Sequence, residues 1–313
     1  MSTGRSIRLF LVDGTPNGLL TAEIMNWTGH VLTGPRSKLS ELVQRPEAGR
    51  TGIYFLVGPD PDNSFRQLVY IGESDDVGTR LKQHNRPEEQ GGKDFWEKVC
   101  IVTSKDQNLT KAHVKHLESK LITAAREANR CSLKNGTAHD YISLPESDLA
   151  DMAFFMEQIR TMLPVLGLEF LREQSKPRAT TGQPEATVAT SPVFSMEIPK
   201  HHIRAQAQEV DGEFYVLAGS RARDQWTSTH PSYQALYQQL TEDGVLVTDE
   251  TGSVSFARDQ AFSSPSAAAA VVSGRPANGR TTWKIEASGQ TYGEWQDQQV
   301  SAVPTASDQD PID

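Results

Sequence analysis

Two short runs, residues 51–57 (TGIYFLV) and 67–72 (QLVYIG), constrain this chain more than anything else in it. Both are rich in β-branched, aromatic and aliphatic residues. Turn formers from Gly58 to Asn63 (GPDPDN) separate them, so the pair predicts an antiparallel hairpin with a long loop. Side chains alternate faces along a strand, so Tyr54 and Tyr70 can meet on one side if the register allows. Ser74-Asp75-Asp76 then opens a predicted helix over Val77–His84, on which Arg80 and His84 stand four apart and share a face.

Around this hairpin the chain predicts further elements. Residues 7–12 (IRLFLV) read as a strand, Gly14 to Gly18 as a turn, residues 20–27 as strand or helix, and residues 37–43 as a short helix capped by Ser37. This segment adds an edge strand to the sheet at most and carries no evident chemistry. Residues 87–92 (PEEQGG) predict a mobile loop, followed by Phe95 and Trp96, which fit core anchors better than base-stacking platforms. A third strand is expected over residues 98–103.

A helix over residues 109–128 shows an apolar stripe of Val114, Leu117, Leu121, Ile122 and Ala125. Glu118 falls on that same face, where a carboxylate is costly to bury unless paired or bound to a metal. Lys111 and Lys115 offer it a plain ion-pair alternative. His113 and His116, three apart with no third ligand nearby, do not make a zinc site, and neither does His139 beside Asp140. Residues 145–148 open another helix whose stripe (Leu149, Met152, Met156, Ile159, Leu163), widened by Phe154 and Phe155, suits packing against the sheet or a second copy.

Gly52-Ile53-Tyr54, then Tyr70-Ile71-Gly72, then Arg80, His84, Glu118 and Asn135 in that order resemble the GIY-YIG endonucleases. The resemblance covers residues 51–141, with an inter-motif loop slightly longer than usual. It implies an α/β (α+β) unit, a small mixed sheet flanked by helices, that hydrolyses phosphodiester bonds in nucleic acid, with DNA the expected substrate. It further implies a magnesium (or manganese) ion on Glu118, Arg80 on the scissile phosphate, and Tyr54 as general base with its proton relayed by His84. Tyr70 would orient water or metal, and Asn135 would position phosphate or brace the site. An unassisted phenol titrates near ~10, so a base at neutral pH would need help from the ion and from Arg80. The alternative is a nucleic-acid-binding or regulatory module on the same fold that does not cleave.

Composition limits the remaining possibilities. A chain of 313 residues suggests two domains. Two cysteines, Cys100 and Cys131, supply neither a disulfide framework nor a zinc set, and no run approaches the ~20 apolar residues of a membrane span, so a reduced, cytoplasmic setting is expected. The net charge of −9 argues against nonspecific coating of nucleic acid. It is unevenly spread. Residues 1–172 hold 21 basic and 22 acidic groups (−1), and the remainder holds 10 and 18 (−8).

The expected organisation is an extension over 1–50, the nuclease-like unit with its packing helix over 51–171, a polar linker over 172–193, a separate α+β domain over 194–297, and a disordered acidic tail over 298–313. In the second domain, strands are expected over residues 194–198, 205–210 and 213–218, with a tight turn at Asp211-Gly212. A helix follows over 232–240, then a hairpin joining Leu246-Val247 to Ser255-Phe256. Ser264 and Pro265 open a helix through Val272. His201 and His202 would decorate a strand edge. The run from Phe262 to Gly279, with Trp283, resembles a small domain of unassigned function that accompanies GIY-YIG-type and other nucleic-acid-directed proteins in bacteria. That domain would select substrate, or mediate a protein contact or self-association. The helix start at Ser264, with Arg275 and Arg280, is a possible anion seat, less favoured than a structural cap.

Overall fold

A computed structural model describes residues 4–136, 144–172, 191–228 and 233–301. The chain divides into two compact units, Ser2–Glu173 and Gln174–Asp313, both of mixed α+β composition. The predicted linker falls largely on residues 173–190 and most of the predicted tail on 302–313; these, His139 and Ser232 lie outside the described residues.

The first unit runs β1 (Ile7–Leu11), β2 (Leu20–Ile24), β3 (Gly29–Pro35), α1 (Leu39–Leu42), β4 (Gly52–Asp60), β5 (Asn63–Ser74), α2 (Val77–His84), β6 (Lys98–Ser104), α3 (Lys111–Ala128), β7 (Ser132–Leu133) and α4 (Glu146–Val165). The strands form one seven-stranded sheet in the order β1-β2-β3-β6-β4-β5-β7. Every ladder is antiparallel except the short β5–β7 pairing.

The opening segment therefore does more than add an edge. It supplies three strands, because β6 is paired along its whole length with β3 on one side and over Lys98 to Thr103 with β4 on the other. Residues 20–24 settle as strand. Ser37 caps nothing: it sits in a 3-10 turn, and α1 begins after Lys38 without a side-chain cap. The hairpin is also longer than expected, since pairing continues to Asp60↔Asn63 across a bulge. Past Val57, β4 has β5 as its one ladder partner, and a strand with one free edge tolerates Pro59.

Alternation along β4 sorts the core into two layers. Ile53, Phe55 and Val57 join Val69, Ile71, Cys100 and Val102 beneath the apolar stripes of α3 and α4. Tyr54 and Leu56 face the other way, toward Leu42, Val77, Leu81 and Trp96. Trp96 is buried as a core anchor with the Arg36 guanidinium 4.8 Å above its ring. On α4, Phe155 is buried against Trp27, while Phe154 is exposed.

The second unit runs β8 (Phe194–Ile198), β9 (Ile203–Val210), β10 (Glu213–Val216), β11 (Arg221–Ala222), α5 (Gln234–Glu242), β12 (Leu246–Thr248), β13 (Val254–Phe256), β14 (Gln260–Phe262), α6 (Pro265–Ser273), α7 (Gly279–Thr282), β15 (Lys284–Ile285) and α8 (Tyr292–Ser301). It holds a five-stranded sheet, β14-β10-β9-β8-β15, and a three-stranded one, β11-β13-β12. Every residue of α6 from Ala267 to Ser273 is buried, as expected of a helix apolar all round. Residues 298–301, expected to begin the tail, continue α8. His201 and His202 sit in a turn between β8 and β9, where His202 takes a left-handed conformation (φ 51°), and not along a strand edge.

Candidate active site

The hairpin register sets Leu56 opposite Tyr70 and Tyr54 opposite Gly72. Tyr54 and Leu56 share a face, so both tyrosines project to the same side, their ring centroids 6.2 Å apart. Gly72 makes this possible. A Cβ there would lie 2.3 Å from the Tyr54 hydroxyl oxygen and 2.4 Å from Cζ. The bare backbone is the floor on which the Tyr54 ring lies.

Helix α2 completes the cluster. Asp76 caps it, its carboxylate accepting from Thr79 N–H, which fixes where the helix begins and so the direction of Arg80 and His84. His84 is buried, its ring centroid 5.5 Å from Tyr54 and 5.4 Å from Tyr70, and Nε2 lies 2.8 Å from the Tyr54 hydroxyl. Arg80, exposed on the same face, stands close enough to both tyrosines for their charges to be felt, and it donates to Gln83. Of the two tautomers of a neutral imidazole, the one protonated on Nδ1 accepts the Tyr54 O–H at Nε2. Nδ1 is buried with no hydrogen-bond partner among the described residues.

Burial governs the proton affinities. His84 is held neutral, its pKa lowered to about 4 by burial and then by the charges of Arg80 and Lys93. Tyr54 moves the opposite way from what a general base requires. Burial pushes its phenol well above the usual range, Tyr70 and Glu118 add to that, and Arg80 opposes it without prevailing. The expectation that Arg80 brings Tyr54 toward neutral pH is thus not met by the protein groups alone.

Lys93 is a member the sequence did not single out. Its ammonium sits 4.2 Å over the Tyr70 ring, and burial together with Lys134 and Arg80 lowers its pKa. Three cations therefore crowd the mouth of the tyrosine pair. Residues 87–92, expected to be mobile, form a turn tied by Gly92 N–H to Pro87 and by Lys93 N–H to the carbonyl of His84. That turn is what delivers Lys93, and no residue pattern in PEEQGG announces it.

Glu118 is half-buried on α3 and close enough for its charge to oppose ionisation of Tyr54. Lys111, one candidate for a plain ion pair, instead bonds Glu73 at 2.6 Å and Asp75 at 3.4 Å. Among the described residues no three His, Cys, Asp or Glu side chains gather as a metal group. One carboxylate beside phenol oxygens suits a hydrated magnesium or manganese ion, which retains several waters, and does not suit a zinc held by four protein ligands. His113 is structural: Nδ1 accepts from Thr110 N–H in the α3 cap and Nε2 pairs with Asp148 at 3.0 Å.

Asn135 does not point at the cluster. Its carboxamide pairs with the Ile71 backbone, accepting N–H at 2.9 Å and donating to C=O at 2.7 Å. Strand β7 pairs with β5 at Leu68 and Val69, so Asn135 continues that edge and holds Ile71, between the two site residues Tyr70 and Gly72. Of the two roles expected for it, this is the bracing one.

In the second unit the start of α6 offers no anion seat. Ser264 accepts from Ala267 N–H, Trp283 Nε1 donates to the Pro265 carbonyl, and Gly279 lies so close that a Cβ would sit 2.2 Å from Pro265 C. Arg280 bonds Asp297 at 2.8 Å, and Arg275 follows the opposite end of the helix. A family model described as Domain of unknown function (DUF4357) matches residues 194–296. No curated protein and no solved structure matches the chain.

Proposed function

We propose that the first unit is a metal-dependent endonuclease of the GIY-YIG type acting on DNA, and that the second unit selects its substrate or partner. The observation that carries this reading is the convergence of Tyr54, Tyr70, His84, Arg80 and Glu118 on the Gly72 floor, from four separate parts of the chain. Hydrolysis requires a deprotonated water, neutralised phosphoryl oxygens and a stabilised leaving oxygen. Arg80 and Lys93 present the positive charge a phosphate requires, Arg80 as a planar fork. Tyr54 takes the proton of water as its own passes to His84 Nε2, along the hydrogen bond already formed. An anionic phosphate against Arg80 and Lys93 offsets the two charges that depress His84 and so raises its readiness to accept that proton. Hydroxide attacks phosphorus, the bond to the leaving oxygen breaks on the opposite side, and the departing alkoxide takes up a proton from solvent. A magnesium or manganese ion held by Glu118 would supply Lewis-acid stabilisation of the phosphoryl charge.

A second reading, a nucleic-acid-binding module that does not cleave, is favoured by the burial of Tyr54, which raises the pKa of its phenol, the wrong direction for a base. Nicking of supercoiled plasmid separates the two. The nuclease reading expects nicking with magnesium or manganese, none with EDTA, and a loss of at least 10²-fold in Glu118→Ala with the fold intact by circular dichroism. Equal nicking by wild type and Glu118→Ala would remove Glu118 from the site, and no nicking across duplex, branched and single-stranded substrates would favour the binding module.

A further inference from the structure

The second unit is acidic overall, yet several of its cations stand together. Arg204 is paired with Glu197 and Glu286, and Arg280 with Asp297. By contrast, Lys200, Arg221 and Arg275 form no ion pair among the described residues. Arg221 lines, with Arg223, His201 and His202, one cleft of about 330 Å³ between the turn before β9, strand β11 and the turn before β13, and Lys200 and Arg275 stand close enough for their charges to act on His201. His201 reports how close they are. Desolvation lowers its pKa, and the charges of Arg223, Lys200 and Arg275 lower it further, against Asp224 alone.

The cleft is built on fixed backbone. Arg223 donates its N–H to Val272 at the end of α6, and its carbonyl accepts from the hydroxyl of the buried Tyr237 at 2.6 Å. Gly274, at φ 62°, turns the chain back so closely that a Cβ would lie 2.8 Å from the Arg223 side chain and 2.5 Å from the Gln225 carbonyl. That turn is what sets Arg275 beside Arg223. On the far wall, Asp249 accepts from the backbone N–H groups of Thr251 and Ser253, holding the turn that ends at Gly252 and Ser253. Two carboxylates face these cations, Asp224 at 3.6 Å from Arg223 and Asp249 near enough to feel the charge of Arg221, against the four positive charges of Lys200, Arg221, Arg223 and Arg275.

We propose that this cleft binds the phosphates of a nucleic-acid backbone, giving the chain a second nucleic-acid contact besides the tyrosine cluster. The inference rests on the reading of the chain as one that acts on nucleic acid, but not on cleavage. Concentrated positive charge on an acidic background is what nonspecific surface composition does not produce, and an open groove of arginines with flanking imidazoles matches phosphodiester oxygens.

The test is fluorescence anisotropy of a labelled duplex and a labelled single strand with the full chain in EDTA, over a range of salt. Arg221→Glu/Arg275→Glu reverses two exposed charges, one lining the cleft and one beside it. Arg258→Glu/Lys284→Glu makes the same charge change elsewhere in the unit. The cleft variant is expected to weaken binding about tenfold or more and to reduce the magnitude of the salt slope by about two, with the control unchanged. Equal binding and equal slope for both variants would overturn the proposal. So would a labelled nucleoside monophosphate that binds the cleft in an Arg221-dependent way while the oligonucleotides do not, since the ligand would then be a free nucleotide. Plasmid nicking is scored separately. Nicking without cleft-dependent binding rejects this inference alone, and cleft-dependent binding without nicking rejects the nuclease reading alone.

Discussion

At the scale of single residues, Gly72 has the most to say about how this site works. Its place in the sequence, ending a run of strand formers, reads as a strand terminus; its place in the sheet is beneath the Tyr54 ring. A methyl group there cannot be relieved by a flexible side chain, because the neighbour is a buried ring already bonded to His84. Gly72→Ala is therefore expected to push Tyr54 off His84, with an overpacking cost of about 1–3 kcal/mol and loss of most nicking. Thermal melting and plasmid nicking read the two effects. An alanine variant that nicks at the wild-type rate would show that the Tyr54–His84 contact is dispensable.

At the scale of elements, what could be foreseen depended on whether the cause was local. The α2 cap at Asp76 and the Asp211-Gly212 turn follow from nearest neighbours, and both lie where the residues indicate. The stripe of α3 is likewise buried as its periodicity requires. The site residues Tyr54, Tyr70, Arg80, His84 and Glu118 were legible because their spacing carries a family resemblance, and the structure brings them together. Lys93 was not legible, since only the packing of the 87–92 turn against His84 brings it over Tyr70. Of the three-strand flank, the residues indicate β1 and leave β2 as strand or helix, but neither β3 nor its partner is legible, because strand partners are chosen across the sheet and β6 selects β3 from a distance of about seventy residues. Asn135 shows the limit most clearly, because Asn-Gly is a common turn pair and nothing local says that its carboxamide substitutes for a strand. Asn135→Ala removes a donor and an acceptor from the Ile71 backbone, so a loss of about 1–3 kcal/mol is expected. Hydrogen exchange should find it as lost protection at the Ile71 amide, with protection at the centre of β6 unaltered; unchanged exchange at Ile71 would mean that water replaces the side chain without penalty.

At the scale of the molecule, the charge division and the packing division coincide. The near-neutral half carries the tyrosine cluster, and the acidic half sets Arg221, Arg223, His201 and His202 about one cleft. Among the described residues no helix is long and apolar enough to cross a membrane. Each unit also encloses cores of its own: Leu121 belongs to a cluster drawn from the first, and Leu246 to one drawn from the second. Stability should then be a property of each unit and not of the whole chain. Leu121→Ala and Leu246→Ala each delete a fully buried side chain, at an expected cost of about 2–5 kcal/mol. Scanning calorimetry of the full chain should show two transitions, with Leu121→Ala lowering one by several degrees and Leu246→Ala lowering the other. If either substitution moved both transitions together, the units would be coupled in folding. Substrate capture in the second unit would then be able to alter the geometry of the first, and the cleft and the tyrosine cluster would have to be treated as a single cooperative system.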